Sequence, residues 1–281
     1  MTGRNIAASV RERLYQKAKA DRTDVQLQFT KYAMERLLYR LSVSDHRNHF
    51  LLKGALLFDL WFDVPFRPTR DIDLLGFGMT ELPHLISVFR DLCELEVDDG
   101  MSFDSASIAA EEIREAANYP GMRIKLVGYI AEAECRVQID IGYDDALTLE
   151  PELADYPTIL NEMPAAKLRV YPVYTVVAEK LEAITSLGMA NTRMKDYFDI
   201  LVIVRNCDLA PKLLSEAFEA TLKRRGTAKP ADLPLGFSDA FLNDERSISL
   251  WNAFLTRNKL EANTLEATVV ELREKLAFLF E

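Results

Sequence analysis

The stretch that decides the fold runs from residue 69 to residue 75 and reads Thr69-Arg70-Asp71-Ile72-Asp73-Leu74-Leu75. Polar and apolar residues alternate along it, which predicts a half-buried β-strand. Because successive side chains on a strand point to opposite faces, Asp71 and Asp73 should share one face. Two neighbouring carboxylates repel each other, and a divalent cation with oxygen ligands is the natural occupant between them. A bare Asp-x-Asp pair is, however, more often a pair of solvent-facing acids.

A third acid lies on a later alternating run. Residues 123–130 and 135–142 are both predicted strands, and together they indicate an antiparallel hairpin. In the second run Asp140 stands between Ile139 and Ile141 and should face away from them. If this strand pairs with the one that carries Asp71 and Asp73, three carboxylates meet on one face and can hold two magnesium ions. The alternative is an edge-strand acid in water.

Upstream of these acids, Lys53-Gly54-Ala55 follows the short apolar run Phe50-Leu51-Leu52 and precedes a helical pattern over 56–62. Backbone N–H groups at a helix start, with a glycine that allows close approach, suit a phosphate. The alternative is an ordinary turn.

Two charged positions break the apolar pattern of the later helices. Lys180 falls on the apolar stripe of a helix predicted over 174–187, between Val177 and Ile184. It either extends to the rim of the buried face or points at a triphosphate. Asp196 and Asp199 stand three residues apart on the next predicted helix and so share a face. One of them could cap the helix. Alternatively, a carboxylate here holds Lys180 or contacts the sugar or base of a nucleotide.

A basic cluster, Lys223-Arg224-Arg225, closes the third of these helices. It either complements the negative end of the helix or binds the phosphate backbone of RNA.

Length and composition bound the class of protein. The 281 residues are 49% hydrophobic and 28% charged, with a net charge of −10. An acidic chain argues against indiscriminate coating of nucleic acid, although a local basic patch is compatible with an RNA substrate. Three cysteines without metal-ligand spacing, and no apolar run long enough for a bilayer, predict a cytoplasmic protein without membrane association.

The predicted organisation is an α/β (α+β) core with a mixed sheet, followed by a helical half. Residues 1–160 should form the α/β domain with its N-terminal helices, and residues 161–281 the helical domain that completes a cleft. The stretch 151–172 is predicted to be the crossover. Helices are predicted over 24–42, 81–95, 174–187, 196–205, 211–224, 238–256 and 265–280.

Five motifs in this order resemble one known family. They are Lys53-Gly54-Ala55, Arg70-Asp71-Ile72-Asp73-Leu74, Gln138-Ile139-Asp140-Ile141-Gly142, Glu179-Lys180-Leu181-Glu182-Ala183 and Met194-Lys195-Asp196-Tyr197-Phe198-Asp199. The chain resembles, from about residue 50 to residue 225, the AbiEii/AbiGii toxin family of bacterial nucleotidyltransferases, which have a polymerase-β-like core. The family's first motif often reads Gly-Ser, whereas this chain has Gly54-Ala55. That departure bears on the choice of NTP and on the catalytic rate.

The resemblance implies roles for particular residues. Asp71, Asp73 and Asp140 would be the metal-binding catalytic acids, with two Mg²⁺ ions or Mn²⁺ in their place. Lys180 would meet the nucleotide phosphates, and an aspartate of the last motif, Asp196 in preference to Asp199, would be needed for activity. From their positions in the sequence, Lys53, Gly54, Arg70, Lys180 and Asp199 are candidates for contacts with the nucleotide, and Lys223, Arg224 and Arg225 for contacts with RNA.

The expected function is that of a nucleotidyltransferase toxin that moves a nucleoside monophosphate from an NTP to an RNA, tRNA above all. It would act within a toxin–antitoxin or phage-defence pair with a cognate antitoxin protein. The alternatives are transfer to a small molecule or protein, and an interaction module whose catalysis has lapsed.

Overall fold

The computed structural model describes residues 3–62, 67–78, 81–114, 120–143, 147 and 149–280. These residues form two compact units. The first comprises the described parts of Met1–Pro65, Thr69–Asp144 and Pro151–Val170. The second comprises the described parts of Phe66–Pro68, Asp145–Glu150 and Tyr171–Glu281. Each unit is therefore assembled from more than one segment of the sequence.

The first unit is built on a seven-stranded sheet. Its described strands are β1 (Phe50–Lys53), β2 (Asp71–Gly76), β3 (Met101–Arg114), β4 (Pro120–Ile130), β5 (Ala133–Tyr143), β6 (Glu152–Tyr156) and β7 (Ala166–Val170). Their order across the sheet is β3-β4-β5-β2-β1-β7-β6. The pairs β2–β5 and β1–β7 are parallel and the other four pairs are antiparallel. The predicted mixed sheet and the predicted hairpin, now β4–β5, are confirmed.

Three of these strands were not predicted from the sequence. The stretch 151–172, predicted as the crossover between the two halves, contains β6 and β7, and the division between the two units falls near its end, after Val170. The alternation of β6 is obscured because it is an edge strand that leaves Leu153 exposed. The other edge strand, β3, has an irregular register between Asp104 and Ala109, so no single period of two runs through it.

The helices of the first unit that the structure describes are α1 (Gly3–Ala20), α2 (Val25–Val43), α3 (Phe58–Trp61) and α4 (Leu82–Glu94). Helix α2 begins where the pattern predicted, because the Asp24 side chain accepts a hydrogen bond from the backbone N–H of Leu27 at 2.8 Å. It packs against β5 and β7, and α4 packs against β3. The apolar side chains Ile72, Leu74, Ile139 and Ile141 are almost fully buried in this core.

Helix α2 also carries charged residues into the core. Arg40 donates to both carboxylate oxygens of Asp99, at 2.7 and 3.3 Å. Glu35 is buried beside Arg36 and accepts a hydrogen bond from the backbone N–H of Ile159 at 2.6 Å. Burial raises the pKa of Glu35 to about 7, although Arg36 and the Ile159 N–H favour its charged form. The Glu35 carboxyl therefore gains its proton at a much higher pH than an exposed glutamate does.

The second unit is helical in the part that the structure describes. Its helices are α5 (Val173–Leu187), α6 (Met194–Asn206), α7 (Pro211–Arg225), α8 (Asp239–Leu242), α9 (Glu245–Asn258) and α10 (Leu265–Leu276). The single helix predicted over 238–256 is wrong, because the chain turns at Asn243. There the Asp244 side chain caps α9 by accepting from the Ser247 backbone N–H at 2.8 Å. No helix among the described residues is long and apolar enough to cross a membrane.

Candidate active site

The sheet of the first unit brings three carboxylates onto one face. Strands β2 and β5 pair in parallel with Asp73 opposite Asp140 and Asp71 opposite Gln138. Since paired residues on neighbouring strands point to the same side, the three aspartates share that side, and their apolar neighbours fill the core. The pairing that the sequence suggested between these two strands is confirmed.

The same row of the sheet also holds two cations. Lys53 lies opposite Asp73 on β1, and Arg123 lies opposite Asp140 on β4. The order across the sheet is therefore Lys53, Asp73, Asp140, Arg123, with the two acids in the middle. Lys53 is 8% exposed, and burying a lysine is favourable only beside compensating negative charge.

Gly54 gives the Asp73 carboxylate its space. A Cβ atom at residue 54 would lie 2.6 Å from Cγ of Asp73, closer than real Cβ contacts. Gly54 also has a φ of +73°, a conformation that glycine adopts without strain. The turn that follows is a 3₁₀ segment, Gly54–Leu57, continued only by the four-residue α3. Room for Asp73 is therefore the function that this geometry supports, and the phosphate contact of Lys53 and Gly54 stays a prediction.

Arg123 holds Asp140 through two parallel hydrogen bonds. Its Nε donates to Oδ1 and its Nη2 to Oδ2 of Asp140, both at 2.7 Å, and Gln138 donates to the same carboxylate at 3.2 Å. The hydrogen bond to Asp140 raises the pKa of Arg123, with Glu111 and Asp71 adding smaller effects. Arg123 was not singled out from the sequence. The signal available was its alternation with Lys125 on a predicted strand beside Asp140.

The donor set on this face suits a hard divalent cation. Asp71, Asp73 and Asp140 offer carboxylate oxygens, which are the ligands that Mg²⁺ prefers. Asp71 and Asp73 are half-buried. Among the described residues no three acids, histidines or cysteines are close enough together to hold an ion. The three aspartates are of the residue type that binds Mg²⁺, but both carboxylate oxygens of Asp140 are hydrogen-bonded to Arg123.

Arg70, predicted to contact nucleotide, is exposed just before β2.

The second unit contains a buried cluster of charges around Lys180. Its Nζ donates to Asp196 at 2.9 Å and to Asp199 at 2.8 Å. Arg67 binds both oxygens of Asp199 at 2.8 and 3.0 Å, and Arg193 binds Asp196 at 2.6 Å. The interpretation that these aspartates hold Lys180 is confirmed for both of them. Arg67 and Arg193 were not singled out from the sequence.

Charge pairing overcomes burial in this Lys180 cluster. Burial alone would lower the pKa of Lys180, but the carboxylates of Asp196 and Asp199 raise it above its ordinary value. Burial would raise the pKa of Asp196, but Lys180 and Arg193 lower it to about 2. The pKa of Asp199 is likewise lowered, by Lys180 and Arg67. All three groups are therefore charged at neutral pH, and their predicted contacts with a nucleotide stay predictions.

The basic cluster at the end of α7 separates into two kinds of residue. Lys223 and Arg224 are exposed. Arg225 instead donates to Glu182 at 2.9 Å and lies 3.6 Å from Glu179. Glu182 also accepts from the Thr227 hydroxyl at 2.6 Å. Arg225 therefore ties the end of α7 to α5, while the role of all three cations in RNA binding stays a prediction.

Comparisons with known proteins identify a family and a shared fold. The family model described as nucleotidyl transferase AbiEii toxin, type IV TA system, matches residues 36–274. A search of curated protein sequences finds no match. MenT4, a nucleotidyltransferase toxin from Mycobacterium tuberculosis H37Rv, has a similar structure with a TM-score of 0.61, 18% identity, and coverage of 98% of this chain and 89% of that chain. JHP933 from Helicobacter pylori gives a TM-score of 0.54, 13% identity, and coverage of 92% and 93%. At these identities the structural likeness shows a shared fold.

Proposed function

The chain belongs to the AbiEii family of nucleotidyltransferase toxins of type IV toxin–antitoxin systems, and we propose that it transfers a nucleoside monophosphate from an NTP to an RNA, with tRNA as the favoured acceptor. The observation that carries the proposal is the register of β2 and β5, which places Asp73 directly opposite Asp140 on the face that also holds Asp71. A toxin of this family has a nucleotide substrate and an antitoxin partner.

In the proposed reaction the acceptor hydroxyl attacks the α-phosphorus. The new bond joins the hydroxyl oxygen to phosphorus, the bond to the bridging oxygen of the β-phosphate breaks, and pyrophosphate leaves. Asp71, Asp73 and Asp140 would hold Mg²⁺, or Mn²⁺ in its place, which stabilises charge on the attacking and leaving oxygens. Asp140 accepts the hydroxyl proton. Lys53, on the row of the acids, and the exposed Arg70 provide positive charge for the phosphates.

RNA is favoured as the acceptor because exposed Lys223 and Arg224 give an acidic chain a local basic site. We further propose that tRNA is the molecule modified and that the chain acts in a toxin–antitoxin pair that defends against phage. An acceptor without a phosphate backbone, such as a small molecule, would gain nothing from these two side chains.

A transfer assay tests the proposal. Protein, Mg²⁺ and total tRNA are incubated with each α-labelled NTP in turn, for the wild type, Asp73→Asn and Asp155→Asn. Asp155 is an exposed acid of the edge strand β6, so it controls for loss of a strand carboxylate away from the site. We expect label on tRNA with the wild type and Asp155→Asn, and a loss of at least about 100-fold with Asp73→Asn. Transfer that survives Asp73→Asn would overturn the assignment.

A further inference from the structure

The position of Arg123 has a consequence for metal binding. Its guanidinium occupies both oxygens of Asp140, the acid that completes the proposed metal site. The side chains of Arg123 and Asp140 are only 30% and 13% exposed, so water screens this pair less than it would on an open surface. A bidentate arginine–carboxylate pair is among the stronger ion pairs in proteins.

A divalent cation at Asp140 and the guanidinium of Arg123 oppose each other in two ways. Both require the same carboxylate oxygens, and both are positively charged, so each raises the free energy of the other when they are close. The row also holds Lys53 opposite Asp73, which leaves the three aspartates with two cations already facing them. The local charge of these five residues is −1, counted as three acids against two bases. Glu111 lies opposite Arg123 on β3 but is paired with Lys125, so these two residues add no net charge. A local charge of −1 attracts a free dication only weakly.

We propose that Arg123 competes with the divalent cation for Asp140, so that the site loads its metal together with a nucleotide. The polyphosphate brings the negative charge that the site lacks, and it offers the displaced guanidinium an anionic partner. Arg123 is then a positioning residue that makes metal occupancy depend on substrate. The inference rests on the proposed function only in taking Asp140 as a metal ligand.

A titration of the full chain with Mn²⁺ in the absence of nucleotide tests this directly. The signal of the free ion in electron paramagnetic resonance reports how much Mn²⁺ is bound. The variants are Arg123→Gln and, as a matched control, Lys125→Gln. Lys125 lies two residues along on the same face of β4 and pairs with Glu111, so its loss removes a like charge without touching Asp140. We expect Mn²⁺ to bind about tenfold more tightly to Arg123→Gln than to the wild type. The Mn²⁺ affinity of Lys125→Gln should stay within about twofold of the wild-type affinity.

A second titration adds a non-hydrolysable NTP analogue. The nucleotide should tighten Mn²⁺ binding more in the wild type than in Arg123→Gln, because the variant no longer needs the polyphosphate to displace the guanidinium. Arg123→Lys keeps the charge but loses the two-pronged hydrogen bond, and it should tighten Mn²⁺ binding by a smaller factor. This variant carries the test if Arg123→Gln fails to fold, as judged by circular dichroism.

Equal Mn²⁺ affinity in the wild type and the Arg123 variants overturns the inference, as does an equal gain in Lys125→Gln. Absence of Mn²⁺ binding in every variant also overturns it. The transfer assay is read separately: wild-type transfer with no effect of Arg123 on Mn²⁺ leaves the proposed function standing. If the wild type shows no transfer but the Arg123 variants clearly change Mn²⁺ binding, the proposed function is overturned and the inference about Arg123 stands.

Discussion

The carboxylate of Asp73 occupies the space that a side chain at Gly54 would need. A Cβ atom at residue 54 would lie 2.6 Å from both Cβ and Cγ of Asp73 and would overlap its Oδ2. Gly54 belongs to the turn after β1, and Asp73 lies at the middle of the acid face on β2. The absence of a side chain at Gly54 therefore allows Asp73, one of the proposed metal ligands, to take its position.

Gly54→Ala should slow nucleotidyl transfer strongly by displacing Asp73. Moving a reacting group by about 1 Å can cost about 100-fold in rate. The positive φ of residue 54 should add a loss of stability of about 1–2 kcal/mol. Transfer rate and thermal midpoint measure the two effects separately.

Gly78→Ala is the matched control for that substitution. Gly78 also has a positive φ, +95°, but nothing lies within 4 Å of its Cβ position. It should lose a similar amount of stability and keep its transfer rate. Full transfer by Gly54→Ala would show that the space beside Asp73 is not needed.

Lys180→Met should destabilise the second unit strongly. It would leave Asp196 and Asp199 buried with Arg193 and Arg67 as their remaining partners, and breaking a buried ion pair costs about 3–5 kcal/mol. Lys195→Met, an exposed lysine on α6, should change stability by less than about 0.5 kcal/mol. Urea unfolding measures both.

A double variant measures the coupling between Lys180 and Asp199. Lys180→Met combined with Asp199→Asn removes both members of one buried ion pair, so its loss of stability should be smaller than the sum of the losses in the two single variants. A double variant whose loss is the sum of the two single losses would mean that Lys180 and Asp199 are not coupled.

Glu35→Gln should change how stability depends on pH. The pKa of Glu35 is about 7 in the folded protein and near 4.5 when unfolded, so between these values the folded state keeps a proton that the unfolded state releases. The contribution of Glu35 to stability is thus complete below about pH 4.5 and lost as pH rises through 7. The wild-type free energy of unfolding minus that of Glu35→Gln should fall by up to about 3 kcal/mol across this range.

Urea unfolding at intervals from pH 4 to pH 8 measures that difference. It should be flat below about pH 4.5 and again above about pH 7. A difference that rises with pH would mean that Glu35 is charged in the folded protein and held by Arg36.

The exposed and the half-buried residues of the basic cluster on α7 should have different effects when they are substituted. If RNA is the acceptor, Lys223→Gln or Arg224→Gln should weaken RNA binding and reduce its salt slope by about one for each phosphate that is no longer neutralised. Arg225→Gln should instead lower stability, because it would remove the arginine that pairs with buried Glu182. Filter binding at several salt concentrations, with unfolding curves alongside, tells these cases apart. An identical effect of all three on binding would contradict the division.

Much of the acid face could be predicted from the sequence because its strands alternate. Asp73 and Asp140 each lie between apolar residues, and Asp71 precedes Ile72, so one face follows directly from the pattern. Arg123 could not be identified in this way, because a charged residue on a strand usually faces water. Only the register of β4 against β5 shows that it meets Asp140.

The strands that were not predicted lack this clean pattern. In β3 small and polar residues follow one another, and the irregular register after Asp104 shifts the alternation. The sequence also did not decide whether Asp196 or Asp199 is the aspartate needed for activity, because their spacing shows only that they share a face. In the structure both contact Lys180, and they differ in their second partner, Arg193 for one and Arg67 for the other.

The parallel register of β2 and β5 limits how this protein can vary over evolution. Deleting one residue of β5 before Asp140 would turn the carboxylate into the core and bring Ile139 or Ile141 to the surface. A buried, unpaired carboxylate is costly enough to threaten folding itself. Insertions and deletions in this strand therefore remove the protein along with its activity, whereas substitutions at Asp140 can silence the toxin and leave the fold in place. Inactive relatives that persist should differ from this chain by substitution here, with the strand length unchanged.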